Sequence, residues 1–181
     1  METFISILRG INVSGHKSIK MADLKALYET LKFKDVVTYI QSGNVVFKAP
    51  SGSADKELAK KIERRIAEKY EFDVPVLIRS VKEMEHTINA NPFLKRDGID
   101  KEKLHVTFLE DEPGKANLEA IQKLEFAPDE FIINGRDIYL YCPDGYGNTK
   151  LSNTFFENKL KVKATTRNWK TINKLAEMGN A

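Results

Sequence analysis

Apolar positions along this chain follow two periods, and their alternation writes the same element order twice. Phe4-Ile5-Ser6-Ile7-Leu8 is a nearly continuous apolar run, the pattern of a central strand with both faces covered. Met21, Leu24, Leu27, Tyr28 and Leu31 then recur three and four apart, which predicts a helix with one apolar stripe. Residues 36–41 and 44–48 read as strands around a Ser42-Gly43 turn. A second helix carries Leu58, Ile62, Ile66 and Tyr70, with Ser53 or Asp55 as its expected cap. A strand over 74–79 closes the first half.

The second half repeats the order. It has a strand over 104–109, a helix over 115–124, a hairpin over 131–142 turning at Asn134-Gly135, a helix over 151–160 and a short strand over 162–166. Between the halves, residues 81–90 read as a helix that Asn91-Pro92 stops. A last helix runs over 169–178, with Asn168 expected as N-cap and Gly179 as the residue just past its end. The fold class predicted is α+β, a tandem of two ferredoxin-like (βαββαβ) units with a connecting helix and a C-terminal helix. The expected divisions are 1–80, 81–102 and 103–181. The halves share order rather than residues, so the repeat is read as one of topology.

In such a unit the third strand lies between the first two. The end of the first strand then meets the start of the third, bringing Arg9 and Asn12 beside Gln41, Ser42 and Asn44, while Lys17 with the backbone N–H groups of the loop after the first strand offers a looser anion site. A guanidinium, amides and glycine backbone at one sheet edge suit a small anion or planar polar ligand. The competing use is structural: Asn and Ser are ordinary turn residues, and Arg9 can tie a loop down through carbonyl contacts. Residues 10–18 nearly spell a phosphate loop, but His16 is inserted and no helix starts within the loop, so a nucleotide-triphosphatase site is rejected.

Composition adds limits more than leads. The 181 residues suit one large or two small domains, and a net charge of +3 is no argument for nucleic acid or membrane. Charge is uneven, however. From Lys150 onward seven basic residues face two acidic ones, whereas 97–144 holds twelve acidic and five basic. The basic end, with Lys150, Thr165, Arg167, Asn168 and Trp169, is a second candidate patch, for phosphate groups. The glycine-rich run 144–150 ahead of a helix is a weaker anion signal. Tyr139 and Tyr141 share a strand face but lack the RNA-recognition pattern, so packing is the expected use of that face. Cys142 cannot form an intrachain disulfide and is expected to be a buried, unreactive thiol. His16, His86 and His105 have no metal-ligand spacing; no metal and no cofactor are expected. With no signal-peptide pattern and no membrane-length apolar run, a cytoplasmic location is expected.

Several segments together resemble one family: 8–13 (LRGINV), 21–24 (MADL), 38–47 (TYIQSGNVVF), 91–93 (NPF) and 164–171 (ATTRNWKT). They are similar to the domain of unknown function 1697 family, widespread in bacteria. The resemblance spans essentially the whole chain and implies a tandem of two ferredoxin-like units, with no activity attached. It adds weight to Arg9, Asn12, Gln41, Ser42 and Asn44 in one motif and to Thr165 through Trp169 in the other. Ser14, where glycine is usual, and Asn148-Thr149, where Arg-Ser or a similar pair is usual, depart from the family's pattern. Three function classes remain: a small-ligand or anion-binding protein acting on a phosphorylated or carboxylated metabolite, a nucleic-acid-associated module using the basic end, and a protein-interaction module. The first is preferred; whether the protein is an enzyme and its oligomeric state are open.

Overall fold

A computed structural model describes all residues, Met1–Ala181. The elements are β1 (Glu2–Leu8), α1 (Met21–Thr30), β2 (Lys34–Tyr39), β3 (Asn44–Ala49), α2 (Asp55–Tyr70), β4 (Val76–Ser80) and α3 (Val81–Asn89), then β5 (Leu104–Leu109), α4 (Lys115–Gln122), β6 (Glu130–Asn134), β7 (Asp137–Tyr141), α5 (Asn153–Leu160), β8 (Ala164–Asn168) and α6 (Trp169–Gly179). Short 3-10 turns sit at Pro92–Lys95, Lys101–Lys103 and Tyr146–Asn148. The strands form two four-stranded antiparallel sheets, ordered β2-β3-β1-β4 and β6-β7-β5-β8. As the element order predicts, the third strand of each half lies between the first two. Two compact units result: Met1–His86 with Lys174–Ala181, and Thr87–Asn173. The boundaries fall inside α3 and α6.

In the first unit, α1 and α2 cover the sheet face that carries Phe4, Leu8, Val45, Phe47, Val76 and Ile78. Leu58, Ile62 and Ile66 of α2 are essentially solvent-free, each side chain contributing about 2 kcal/mol by burial. The rings of Phe33 and Phe47 meet at 4.6 Å, and Tyr28 meets Phe47 edge-on at 5.4 Å. Tyr28 stays buried because its hydroxyl shares a 2.7 Å hydrogen bond with Ser6 Oγ. In the second unit Leu109, Ile138, Leu140, Cys142 and Ala164 face Ile121, Phe156 and Leu160.

Strand register exposes a repeat that the sequence order alone did not. Ile5 pairs with Arg79 and Val106 with Arg167; Ile7 pairs with Asn44 and Phe108 with Asp137. Ser6 and Thr107 occupy the same position between these rows. Six of the ten buried polar residues are thus three equivalent pairs: one is the same residue, arginine, and the other two are like in kind, Ser with Thr and Asn with Asp. Both closing strands run directly into a capped helix. Ser80 Oγ accepts from Glu83 N while Glu83 Oε2 accepts from Ser80 N, a reciprocal capping box. Asn168 Oδ1 likewise accepts from Thr171 N, as expected.

Some expected boundaries move. The last strand is Ala164–Asn168, not 162–166, because Thr165 and Arg167 alternate inward with Val106 and Phe108. Gly179 is inside α6 rather than past its end. A Cβ there would stand 2.7 Å from Val81 Cγ2, so close packing explains the glycine. Neither Ser53 nor Asp55 caps α2; Ala54 holds that position without a side-chain bond. α5 begins after Ser152, whose Oγ accepts from Phe155 N.

Candidate functional site

The first sequence-predicted cluster does assemble, and its polar groups are turned on the backbone. Asn12 is in the left-handed region, and its Nδ2 donates to the carbonyls of Ile19 at 2.9 Å and Gln41 at 2.8 Å. Its Oδ1 accepts from Ile19 N at 2.8 Å. One amide therefore joins the loop 9–20 to the β2–β3 turn. Asn44, solvent-free at the start of β3, donates from Nδ2 to Tyr39 O and Ser42 Oγ. Lys17 donates to Asp73 O. Gly43 takes a positive φ of 90°, and a Cβ there would stand 2.6 Å from Ile11 Cδ1. Arg9 is half-buried where its own N–H bonds Pro75 O; Gln41 is exposed. The loop-tying use of Asn12, Lys17 and Asn44 accounts for these bonds.

The second predicted patch divides. Thr165 and Arg167 are buried in the sheet, where Arg167 Nη1 donates to Thr165 Oγ1 at 3.2 Å and Thr166 O at 3.0 Å. Burial pushes the guanidinium down to about 10, so it stays charged at neutral pH. Lys150 is exposed at the end of the glycine-rich loop, whose Thr149 hydroxyl donates to Asp129 Oδ2 at 2.7 Å. Asn168 and Trp169 do come together. They line a groove of about 340 Å³ with Lys101, Glu102 and Lys170.

The elements explain this convergence. β8 delivers Asn168 to the N-terminus of α6, where the free N–H groups favour negative charge. The 3-10 turn ahead of β5 delivers Lys101, with Asp100 capping that turn at Glu102 N. The ammonium groups of Lys101 and Lys170 are exposed and make no ion pair. In the register, His105 stands directly across from Asn168. Its ring stacks on Tyr146 at 4.8 Å and 23°. Burial holds its pKa below the ordinary value of 6.5; a bond to the Lys103 main chain opposes this and the Lys103 charge adds to it. His105 is therefore neutral at pH 7, and its buried Nδ1 has no hydrogen-bond partner. Further along the same strand pair, Thr107 and Thr166 hydroxyls meet at 2.7 Å and Thr166 donates to Asn153 Oδ1 at 2.6 Å. Sequence reasoning counted Lys170 in the basic end without placing it in the patch, and missed Lys101, which no local pattern ties to Asn168.

Elsewhere, Tyr139 donates from its hydroxyl to Thr87 O and Tyr141 packs on Phe93, so the two-tyrosine face is occupied by protein. Cys142 is solvent-free, and burial pushes its thiol up to about 11, which leaves it protonated and unreactive at neutral pH. No group of three or more histidine, cysteine, aspartate or glutamate side chains has metal-binding geometry. No helix is long and apolar enough to cross a membrane.

A mixed α/β protein of two antiparallel four-stranded sheets, with a cationic groove where one edge strand passes into a helix, is the class these observations define. The chain belongs to the family described as protein of unknown function (DUF1697), whose sequence profile matches residues 1–139. Its fold is shared with the solved structure of the conserved bacterial protein SP0830 from Streptococcus pneumoniae, at 22% identity over 98% of each chain and a TM-score of 0.75. None of the curated proteins matches the sequence.

Proposed function

We propose that the protein binds a small anionic metabolite, a carboxylate or phosphate, in the groove of the second unit. The carrying observation is that two ammonium groups without ion-pair partners, Lys101 and Lys170, flank Asn168 and Trp169 at the N-terminus of α6. Two cations and the helix end attract the anion, and the indole supplies an apolar wall. The volume falls in the range of small-ligand sites. The reading moves the anion site away from Arg9 and Asn12, whose neighbours serve the loop, and assigns no reaction. In the same reading each sheet with its two helices is a ferredoxin-like unit, joined through 81–102, in a cytoplasmic protein.

The test is a thermal-shift screen against sugar phosphates, nucleotides and small carboxylates at low salt. A ligand at about 100 times its dissociation constant stabilises by roughly 2.7 kcal/mol. One metabolite class should raise the melting point, and Lys101→Ala with Lys170→Ala should abolish that shift while leaving the ligand-free melting point in place. A shift that survives the double replacement would place the ligand elsewhere.

A further inference from the structure

The first unit carries a cluster of cations on α2, an element to which neither candidate cluster belongs. Lys60, Lys61, Arg64 and Arg65 fall within six residues of α2; Lys60, Lys61 and Arg64 are exposed, and Arg65 is half-buried at the border of the Leu58, Ile62 and Ile66 stripe. A groove of about 320 Å³ between this face and the end of α1 is lined by Thr30, Leu31, Lys32, Lys61, Arg64, Arg65 and Glu68. Arg65 is held in it, with Nε on Thr30 Oγ1 at 3.3 Å and Nη1 on Glu68 Oε2 at 3.4 Å. Glu68 is the groove's one carboxylate and is engaged by Arg65. Lys32, Lys61 and Arg64 remain exposed without an acidic partner.

Cations at a helix C-terminus ordinarily serve its free carbonyls. That need is already met at α1. Leu31 N donates to Tyr28 O at 3.1 Å, Lys32 N to Glu29 O at 3.0 Å, and the Thr30 hydroxyl to Leu27 O at 2.6 Å. Three cations are left facing solvent beside a fourth that is fixed in orientation.

We propose that this groove is a sequence-independent contact for the phosphate backbone of a nucleic acid. Along α2 the groove's cations are Lys61 and, about 5 Å further along the helix axis, Arg64 and Arg65, with Lys32, just past the end of α1, adding a third point. A row of charges in an open groove matches a chain of phosphates better than one small anion. The groove has no aromatic ring and no amide side chain, so it positions a backbone without reading bases.

The test is fluorescence anisotropy with a labelled single-stranded oligonucleotide of about 20 nucleotides, titrated from low to physiological salt. Log affinity should fall linearly with log salt, by about 0.7 per phosphate neutralised, and Lys61→Gln with Arg64→Gln should lower that slope by about 1.4. Both positions are exposed and glutamine keeps helix propensity, so circular dichroism should be unchanged. Oligonucleotides of different sequence should bind alike. The proposal is overturned by no binding at the lowest salt or by an unchanged slope in the double variant. It is equally overturned by a loss of binding in Lys101→Ala with Lys170→Ala instead, or by binding to phosphatidylserine vesicles without binding to oligonucleotide.

Discussion

Replacing Asn12 with alanine separates architecture from ligand binding at the first cluster. The change removes two bonds donated by Nδ2, to Ile19 O and Gln41 O, and one accepted by Oδ1, from Ile19 N. Two are partly buried and are worth about 1 kcal/mol each; the exposed one to Gln41 is worth roughly 0.5. Asn12 also sits at φ 56°, a region that asparagine tolerates and alanine enters at about 1 kcal/mol. The expected loss is therefore about 3.5 kcal/mol, read as a lower midpoint in urea unfolding followed by circular dichroism. Asn12→Gly loses the same bonds and escapes the backbone strain, offset in part by glycine's greater unfolded-state freedom, so it should recover roughly 0.5 kcal/mol. A ligand found for the groove at Lys101 and Lys170 should still bind both variants. An Asn12→Ala protein within about 0.5 kcal/mol of the parent would refute the claim that this amide holds the loop.

Gly43→Ala should cost roughly 2–4 kcal/mol, from left-handed strain and from displacing Ile11, whose Cδ1 would lie 2.6 Å from the new Cβ; a midpoint unchanged in urea would mean the turn relaxes freely. His105 gives a pH signature. Because burial depresses its pKa, the unfolded chain takes up the proton first as pH falls. The stability that neutral His105 contributes is present above about pH 6.5 and is lost as pH drops below it. His105→Gln should flatten the stability profile over that interval, and an equally steep profile in the variant would assign the pH dependence to other groups.

What the sequence revealed was the part written locally. Helix stripes such as Leu24, Leu27 and Tyr28 and the Asn168 cap follow from spacing along one element. The order β2-β3-β1-β4 follows from element order once the third strand is placed centrally. The groove was legible only at Asn168 and Trp169, which adjoin in sequence. Lys101 reaches it because β5, which its turn precedes, pairs with β8 some sixty positions away, a pairing no local pattern encodes. Arg167 looked like a surface cation in a basic stretch, but alternation along β8 turns it into the sheet, where Thr165 and the Thr166 carbonyl receive it. Asn12 and Asn44 both bond the β2–β3 turn, Asn12 at Gln41 O and Asn44 at Tyr39 O and Ser42 Oγ. Whether an amide serves a ligand or a carbonyl depends on distances of an ångström, which sequence does not carry.

The repeat itself separates framework from function. Ser6 and Thr107, Asn44 and Asp137, and Arg79 and Arg167 hold equivalent buried positions. What recurs in both units is what the fold needs, so the departures are informative. Where the second unit pairs His105 with Asn168, the first pairs Phe4 with Ser80. Where Trp169 opens α6, Val81 opens α3. The first unit has Phe4 beside a serine committed to a capping box at the place where the second has a cationic groove. The reverse holds for the second helix of each unit. α2 presents four cations within six residues, whereas the shorter α5 carries a single lysine, Lys159. Each proposed site lies where one copy has left the shared pattern, on different elements and in different units. A single ancestral site inherited twice would have put the same chemistry in both. Two separate departures instead argue for two different ligands, which is why the replacements at Lys101 and Lys170 and those at Lys61 and Arg64 should act independently.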